Sequence, residues 1–363
     1  MFQEPVHVFY AGAHLIRPGL LEKLKAIAIN TLELHSPGHH RIRRRLERAA
    51  IQDLRIDFED GLGARSDSEE DSLAKVAGSL AADAQAMPPL WGIRLKSMAP
   101  TTRRRALETL DLFVQSGAIP PVVTLPKIGD RRQVEDLVAC LDARGLPCRL
   151  ELMVETAYAV KALPDLIDAC QDRCAAIHFG AYDFLSELGV PGPDQSLDHR
   201  FCDQARYSMQ LAVASTGTLD SNAGDPANGQ LANRAIRVVD GVTTLLPLGE
   251  HAQAAWRQHM RNVRRSLAQG FYASWDLHPA QVAARYVALF AYFDQHKAAM
   301  GQRLANFTQR QTRATRVGSA FDDAASVRGL ARFFARAVHS GALEPEELPA
   351  LTGLALEGVE SLL

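Results

Sequence analysis

The stretches LELMVET at residues 150–156 and IHFGAYD at residues 177–183 decide the fold prediction. Each begins as an apolar, strand-like run and reaches an acidic residue, Glu155 in the first and Asp183 in the second. A helical pattern lies between them, so together they predict two neighbouring strands of a parallel sheet joined by a helix. The two carboxylates are then expected at the same edge of that sheet.

Acidic residues at this edge suggest a site for a divalent cation. A carboxylate at a strand end that opens into a cleft is partly desolvated, which is costly unless it is paired, hydrogen-bonded or bound to a metal. Mg²⁺ takes few protein carboxylates and leaves its other positions to water and substrate oxygens. Glu155 and Asp183 therefore predict a magnesium site. The alternative is structural: each acid caps the next helix or pairs with an arginine.

The alternation of strand and helix patterns extends over most of the chain, from Val6 to about Pro279. Eight apolar runs predict an α/β fold, a closed TIM (β/α)8 barrel formed by residues 1–281. The predicted strands are 6–10, 54–58, 90–95, 122–125, 149–154, 175–179, 238–246 and 271–277. The predicted helices are 68–86, 100–116, 131–143, 157–168 and 252–269.

Two further segments differ from this alternation. A polar stretch with glycine and asparagine at residues 216–230 predicts an insertion or lid. Beyond the barrel the pattern is helical, and residues 282–363 are predicted to form a helical C-terminal appendage that covers the barrel or a neighbouring subunit.

Charged residues follow most of the predicted strands, where the catalytic groups of TIM barrels lie. Arg94 ends the third run, and a guanidinium binds a carboxylate bidentately. A metal on the opposite side would polarise the carbonyl of a bound 2-oxo acid and stabilise the enolate formed when an adjacent C–C bond breaks. The pattern therefore predicts aldol or Claisen chemistry.

Other polar residues at the strand ends leave alternatives open. Lys127 could form an imine, as in class I aldolases, or an ion pair with nearby acids. Asp57, Glu59 and Asp60 could supply a general base and a group that orients water or arginines, or Asp60 could belong to a simple turn. His278 could carry a proton or be satisfied by packing and a backbone hydrogen bond.

The composition excludes several classes of function. The net charge is −2 and the pI is near 6.6, so no basic field favours nucleic acid or an anionic membrane. No secretory signal or long apolar run is apparent, which predicts a cytoplasmic protein. The five cysteines lack the paired spacing of a zinc site. The arginine runs at 41–45 and 103–105 are interpreted as solvated helix faces.

Six short motifs follow one another in an order that resembles a known group. They are DFEDG at 57–61, GIRLKS at 92–97, TLPK at 124–127, ELMVET at 151–156, GAYD at 180–183 and WDLHPAQ at 275–281. This order resembles the HpcH/HpaI aldolase and citrate lyase beta-subunit superfamily, whose members share a phosphoenolpyruvate/pyruvate-type TIM barrel. The resemblance covers about Val6 to Gln281 and is closest to an aldolase-like branch with a helical C-terminal region.

The resemblance implies Mg²⁺ bound by Glu155 and Asp183, with Arg94 as a catalytic residue that binds the substrate carboxylate or carbonyl. Lys127 and Ala181 are implied at the substrate. The catalytic acids Glu59 and Asp60 are implied close to metal-bound water.

The implied activity is that of a metal-dependent carbon–carbon lyase or aldolase that cleaves a hydroxy acid or its CoA thioester. Hydroxyketoacid aldolases of the superfamily have a histidine at this position. This chain has Asp60 there, as the lyase branch does. The first strand ends in Tyr10-Ala11-Gly12-Ala13 instead of the Pro-Gly turn of the CoA lyases. The alternative is a catalytically weak 2-oxo-acid-binding or accessory subunit of a larger complex. A trimeric or hexameric homo-oligomer is also implied.

Overall fold

The computed structural model describes residues 5–216, 236–312 and 324–363. Eight parallel strands close into a barrel in sequence order, and the last strand pairs with the first. The strands are β1 His7–Gly12, β2 Asp53–Asp57, β3 Leu90–Arg94, β4 Val122–Leu125, β5 Arg149–Val154, β6 Cys174–Phe179, β7 Arg237–Asp240 and β8 Ala273–Asp276. The predicted TIM barrel is confirmed.

Helices surround the barrel and continue beyond it. They are α1 Leu20–His35, α2 His40–Ala49, α3 Asp67–Ala81, α4 Arg103–Gln115, α5 Arg131–Ala143, α6 Ala157–Lys161, α7 Leu163–Ala169, α8 Ala181–Glu187, α9 Arg200–Ser215, α10 Ala252–Ala268, α11 Pro279–Thr312, α12 Ala324–His339, α13 Leu348–Thr352 and α14 Leu356–Glu360. No helix in the described ranges has the length and apolar content needed to cross a membrane.

Several predicted boundaries change. The helix predicted over 157–168 is two helices, α6 and α7, because Pro164 lacks an amide hydrogen and is accommodated in the first turn of α7. The seventh strand ends at Asp240, six residues before the predicted end. Helix α11 runs continuously across the predicted domain boundary at residue 281, and the division into two domains stays a prediction. Apart from Thr216, which directly follows α9, the predicted insertion at residues 216–230 lies outside the described residues.

The arginines of α2 fasten the C-terminal helices to the barrel. Arg45 is buried, donates from Nε to the carbonyl of Ser340 at 3.2 Å and lies over the Tyr286 ring at 5.3 Å. Arg41 pairs with Asp294 of α11 at 3.1 Å. The interpretation of both arginine runs as solvated faces is therefore wrong in part, since Arg105 is also buried and pairs with acids of α3.

Charged side chains fill the barrel interior towards the N-terminal ends of the strands, where branched apolar residues are usual. Arg55 is 1 % exposed and donates from Nε to Glu151 Oε2 at 2.7 Å and from Nη2 to Oε1 at 2.5 Å. It also pairs with Asp53, and Arg237 reaches both acids at 3.1 and 3.2 Å. The two arginines thus neutralise two acids that water cannot reach.

We expect Arg55→Met to lower the free energy of unfolding by about 3–5 kcal/mol, because it leaves two buried carboxylates with one partly exposed arginine. Urea unfolding measures the loss. The matched control is Arg44→Met, which removes an exposed arginine of α2 and should change stability by less than about 0.5 kcal/mol. Equal losses in the two variants would contradict this account of the barrel interior.

Candidate active site

The Asp57 carboxylate, at the end of β2, accepts hydrogen bonds from Arg94 and from two backbone amides. Its Oδ1 accepts from Arg94 Nε at 2.7 Å and from the Glu59 amide at 2.9 Å. Its Oδ2 accepts from Arg94 Nη2 at 2.5 Å and from the Gly61 amide at 2.8 Å. Four donors leave this carboxylate little capacity to accept a substrate proton. Asp57 therefore orients the arginine, one of the two roles left open for the acids of this motif.

The β2 turn closes tightly around this carboxylate. A Cβ atom added at Gly61 would lie 2.4 Å from Asp57 Oδ2, closer than any real contact of this kind. A Cβ added at Gly12 would in turn lie 2.1 Å from the carbonyl oxygen of Gly61. The ends of β1 and β2 therefore meet backbone to backbone beside the Asp57–Arg94 pair.

We expect Gly61→Ala to weaken the Asp57–Arg94 pair, because the new methyl group displaces a carboxylate oxygen that has no free space to move into. The expected loss is about 1–3 kcal/mol of unfolding free energy, the usual cost of overpacking. Thermal unfolding measures it, with Gly63→Ala as a control. Gly63 has φ +72° and nothing within 4 Å of its added Cβ, so its loss reports backbone strain alone. A smaller loss for Gly61→Ala than for Gly63→Ala would count against the tight turn.

Arg94 lies at the C-terminal ends of the barrel strands, over the stacked rings of Tyr10 and Trp275, which we call the aromatic floor. The Tyr10 and Trp275 rings stack at 4.5 Å, and the guanidinium carbon is 5.0 Å from the first ring centroid and 5.9 Å from the second. Its Nε–Nη2 edge is occupied by Asp57, and Nη1 lies 3.3 Å from Glu59 Oε2. A substrate carboxylate would have to use the N–H groups of Nη1 and Nη2 that Asp57 and Glu59 leave free. The role of Tyr10 in the site was not predicted, although strand alternation places it and Trp275 on inward faces.

Glu59, Asp60 and Lys127 form a second cluster beside Arg94. The Lys127 ammonium pairs with Glu59 and, at 2.9 Å, with Asp60 Oδ1. Burial raises the pKa of Glu59 above its ordinary value. Burial also acts to raise the pKa of Asp60, but hydrogen bonds with Glu59 and Lys127 outweigh it and lower that pKa. The pKa values of these two neighbouring acids are thus shifted in opposite directions, as expected of a general acid and a general base.

Glu155 follows β5 and is buried, at 2 % exposure. Its Oε1 accepts a 2.6 Å hydrogen bond from the Lys127 amide. Burial, together with the negative charge of Asp183, raises the pKa of Glu155 to about 8. Arg94 acts in the opposite direction, but its ion pairs are made with Asp57 and Glu59.

Gly180 makes room for the Glu155 side chain. A Cβ at position 180 would lie 2.5 Å from Glu155 Oε2, so this glycine allows the carboxylate to stand between β5 and β6. Ala181 is buried at the first position of α8, and Asp183 is exposed in the first turn of the same helix. The predicted roles of Glu155 and Asp183 as metal ligands and of Ala181 at the substrate stay predictions.

The carboxylates of Glu155 and Asp183 fit the ligand chemistry of a magnesium ion. A buried carboxylate whose ionisation is disfavoured by burial and by a second carboxylate gains most from a nearby cation. Among the described residues no group of three or more His, Cys, Asp or Glu side chains could hold a metal. Two protein carboxylates are enough for Mg²⁺, which retains several waters and substrate oxygens.

The WDLHP motif divides its roles between the two faces of β8. Trp275 points into the barrel, whereas Asp276 points outward and pairs with Arg285 of α11 at 2.8 Å and His259 of α10 at 3.1 Å. Asp276 is therefore structural. The Nδ1 atom of His278 accepts from the Ala280 amide at 3.2 Å, the backbone alternative left open above. His178 is buried and shares a 3.0 Å hydrogen bond with the Tyr10 hydroxyl, as expected of a core histidine.

The fold of this chain is similar to that of several solved structures. A citrate lyase from Burkholderia xenovorans LB400 has 22% identity and a TM-score of 0.67, covering 96% of this chain and 97% of that one. The citrate lyase beta subunit from M. tuberculosis complexed with oxaloacetate and magnesium has 18% identity and a TM-score of 0.51, covering 78% and 95%. RipC from Yersinia pestis has 16% identity and a TM-score of 0.50, covering 78% and 93%.

The fold is thus that of the citrate lyase beta-subunit-like barrels, and the resemblance found in the motifs is confirmed at this level. The family model described as Domain of unknown function (DUF6986) matches residues 2–225 and 227–363. The chain belongs to this family. A search of curated proteins finds no match.

Proposed function

We propose that this protein is a magnesium-dependent carbon–carbon lyase or aldolase that cleaves a hydroxy acid or its CoA thioester. The observation that carries the proposal is the buried Glu155 carboxylate after β5, whose pKa is raised by burial and by the charge of Asp183 and lowered by the charge of Arg94. The oxaloacetate and magnesium bound by the M. tuberculosis citrate lyase beta subunit support the same substrate class and metal.

Arg94 binds one end of the substrate in this proposal. The N–H groups of Nη1 and Nη2 that Asp57 and Glu59 leave unused would donate to a carboxylate or carbonyl oxygen of a 2-oxo acid unit. Asp57 and the aromatic floor hold the guanidinium in place before the substrate arrives, which lowers the entropic cost of orientation. Glu155 and Asp183 would hold the magnesium ion, which when bound would supply positive charge that stabilises the enolate.

Asp60 and Glu59 move the proton. Asp60 has a lowered pKa and is half exposed, so its carboxylate is available to take the hydroxyl proton when the C–C bond breaks. Glu59, whose pKa is raised by burial, would return a proton to the released carbanion carbon. Lys127 contacts both acids and keeps their charges balanced.

The proposal is tested by incubating the protein with hydroxy acids and their CoA thioesters and measuring release of pyruvate or acetyl-CoA. Turnover is expected with Mg²⁺ and is expected to disappear with EDTA and return when Mg²⁺ is added in excess. Turnover that persists in chelator would contradict the metal requirement. Binding of a 2-oxo acid that depends on Mg²⁺, with no product after hours, would favour the accessory-subunit alternative.

A further inference from the structure

The backbone of Lys127 is in a conformation that side-chain-bearing residues avoid. Its φ is +51°, and among the non-glycine residues of the described ranges only Gln171, at +53°, shares a positive φ. This left-handed conformation is unfavourable for residues that carry a Cβ atom, because the Cβ atom lies too close to the following carbonyl oxygen. Such strain persists where surrounding contacts impose it, and it is often found at functional sites.

Contacts on both sides of Lys127 impose this conformation. Its amide donates to Glu155 Oε1 at 2.6 Å, and the carbonyl of the next residue, Ile128, accepts from Thr156 Oγ1 at 2.6 Å. The β4 end is therefore tied to two consecutive residues that follow β5. At the other end of the side chain, the ammonium is tied to both acids of the β2 turn.

We propose that Lys127 is a positioning residue that sets the site in two ways. Its left-handed backbone aims the amide at Glu155, and its ammonium holds Glu59 and Asp60 at a fixed distance from that carboxylate. The meaning of this arrangement for metal binding rests on the proposed function, whereas the two structural roles do not. Lys127 thereby joins the β2 turn to the end of β5 across β4.

This role excludes an imine at Lys127. Its ammonium is engaged in ion pairs with two carboxylates. A lysine that forms an imine must be unprotonated, which requires the opposite environment. Borohydride added with pyruvate is therefore expected to leave the mass of the protein unchanged.

Three variants separate the backbone from the side chain. Lys127→Met removes the charge and retains an unbranched side chain, so its backbone preference is close to that of lysine. Lys127→Gly removes the charge and adopts a positive φ freely. Lys127→Val removes the charge and opposes the positive φ, because β-branched residues are outliers there. Gln171→Gly and Gln171→Val are matched controls for the same strain away from the site.

The first measurement is amide hydrogen exchange in the presence of EDTA, which makes it independent of the metal. In all three variants, amide exchange of the turn at residues 58–63 is expected to be about tenfold faster or more, because the ion pairs of the Lys127 ammonium with Glu59 and Asp60 are lost. Peptides spanning residues 123–129 should exchange faster in Lys127→Val than in Lys127→Gly. Unchanged exchange of the turn in Lys127→Met, or equal exchange around residue 127 in the valine and glycine variants, would overturn the proposal.

The second measurement is Mg²⁺ affinity by calorimetry. Lys127→Val is expected to bind Mg²⁺ about tenfold more weakly than Lys127→Gly, the typical effect of losing a group that orients a metal ligand. Gln171→Val should be less thermally stable than Gln171→Gly, with no difference in Mg²⁺ affinity between them. Equal Mg²⁺ affinity of the valine and glycine variants would overturn the metal-site part of the proposal. If the native protein binds no Mg²⁺, the proposed function fails, and hydrogen exchange in EDTA still decides the role of Lys127.

Discussion

Glu155→Gln is expected to abolish Mg²⁺ binding in calorimetry and to lower lyase turnover by at least about 100-fold, the usual scale for loss of a group that supports developing charge. The amide oxygen of glutamine can still accept the hydrogen bond from the Lys127 backbone, so the fold should survive. The control is Glu187→Gln, which changes an exposed acid of α8 that accepts from the Ala157 amide. Normal turnover in Glu155→Gln would refute the proposed metal site.

The same variant has a distinctive effect on stability in metal-free protein. Burial raises the pKa of Glu155 from 4.5 to about 8, so between these two pH values the folded protein holds a proton that the unfolded chain has released. The unfolding free energy must therefore fall as pH rises from about 4.5 to about 8 and then level off. Glu155→Gln removes this contribution. Urea unfolding in EDTA at pH 5 and pH 8 should show a smaller decrease for the variant than for the native protein.

Mg²⁺ affinity should follow the same carboxylate. The cation competes with the proton on Glu155, so the apparent dissociation constant rises as pH falls below about 8, by up to tenfold per pH unit. Calorimetry at pH 6, 7 and 8 measures this slope, and each binding event should release a proton below pH 8. An affinity that does not change over this range would place the metal elsewhere.

The strands were predictable because each is a short apolar run bounded by turn residues and charged residues. Two of them, β4 and β5, begin and end at the predicted residues. The helices α1 and α2 were missed, although their apolar faces pack under the C-terminal helices. Helix α2 carries so many arginines that its sequence looks like a solvated surface, and only the tertiary structure shows Arg45 buried against Tyr286.

The site was predictable in its residue types but not in its pairings. The motifs identified Arg94, Glu59, Asp60 and Lys127, and the structure brings these four together. That Asp57 occupies one edge of Arg94 depends on the register of β2 against β3, in which Asp57 is level with Arg94. A sequence shows neither this register nor the positive φ of Lys127, which arises from contacts with residues that follow another strand.

Arg94→Lys is expected to lower kcat/KM by about 100–1,000-fold, equivalent to about 3–4 kcal/mol of transition-state stabilisation. A lysine ammonium cannot bind Asp57 bidentately and present a second edge to substrate at the same time, because its donors radiate from one atom. The substituted residue also leaves Asp57, which is 1 % exposed, with an incomplete set of donors. Steady-state kinetics should show a loss in kcat as well as a rise in KM.

A buried arginine away from the site separates catalysis from folding. Arg206 of α9 is 2 % exposed and donates from Nε to Asp240 at 2.8 Å, on the outer side of β7. Arg206→Lys disturbs a comparable buried ion pair, so we expect a similar fall in melting temperature with little change in kcat/KM. If both lysine variants lose activity in proportion to their loss of stability, Arg94 contributes to folding alone. A selective loss of activity in Arg94→Lys requires that its guanidinium acts on the substrate.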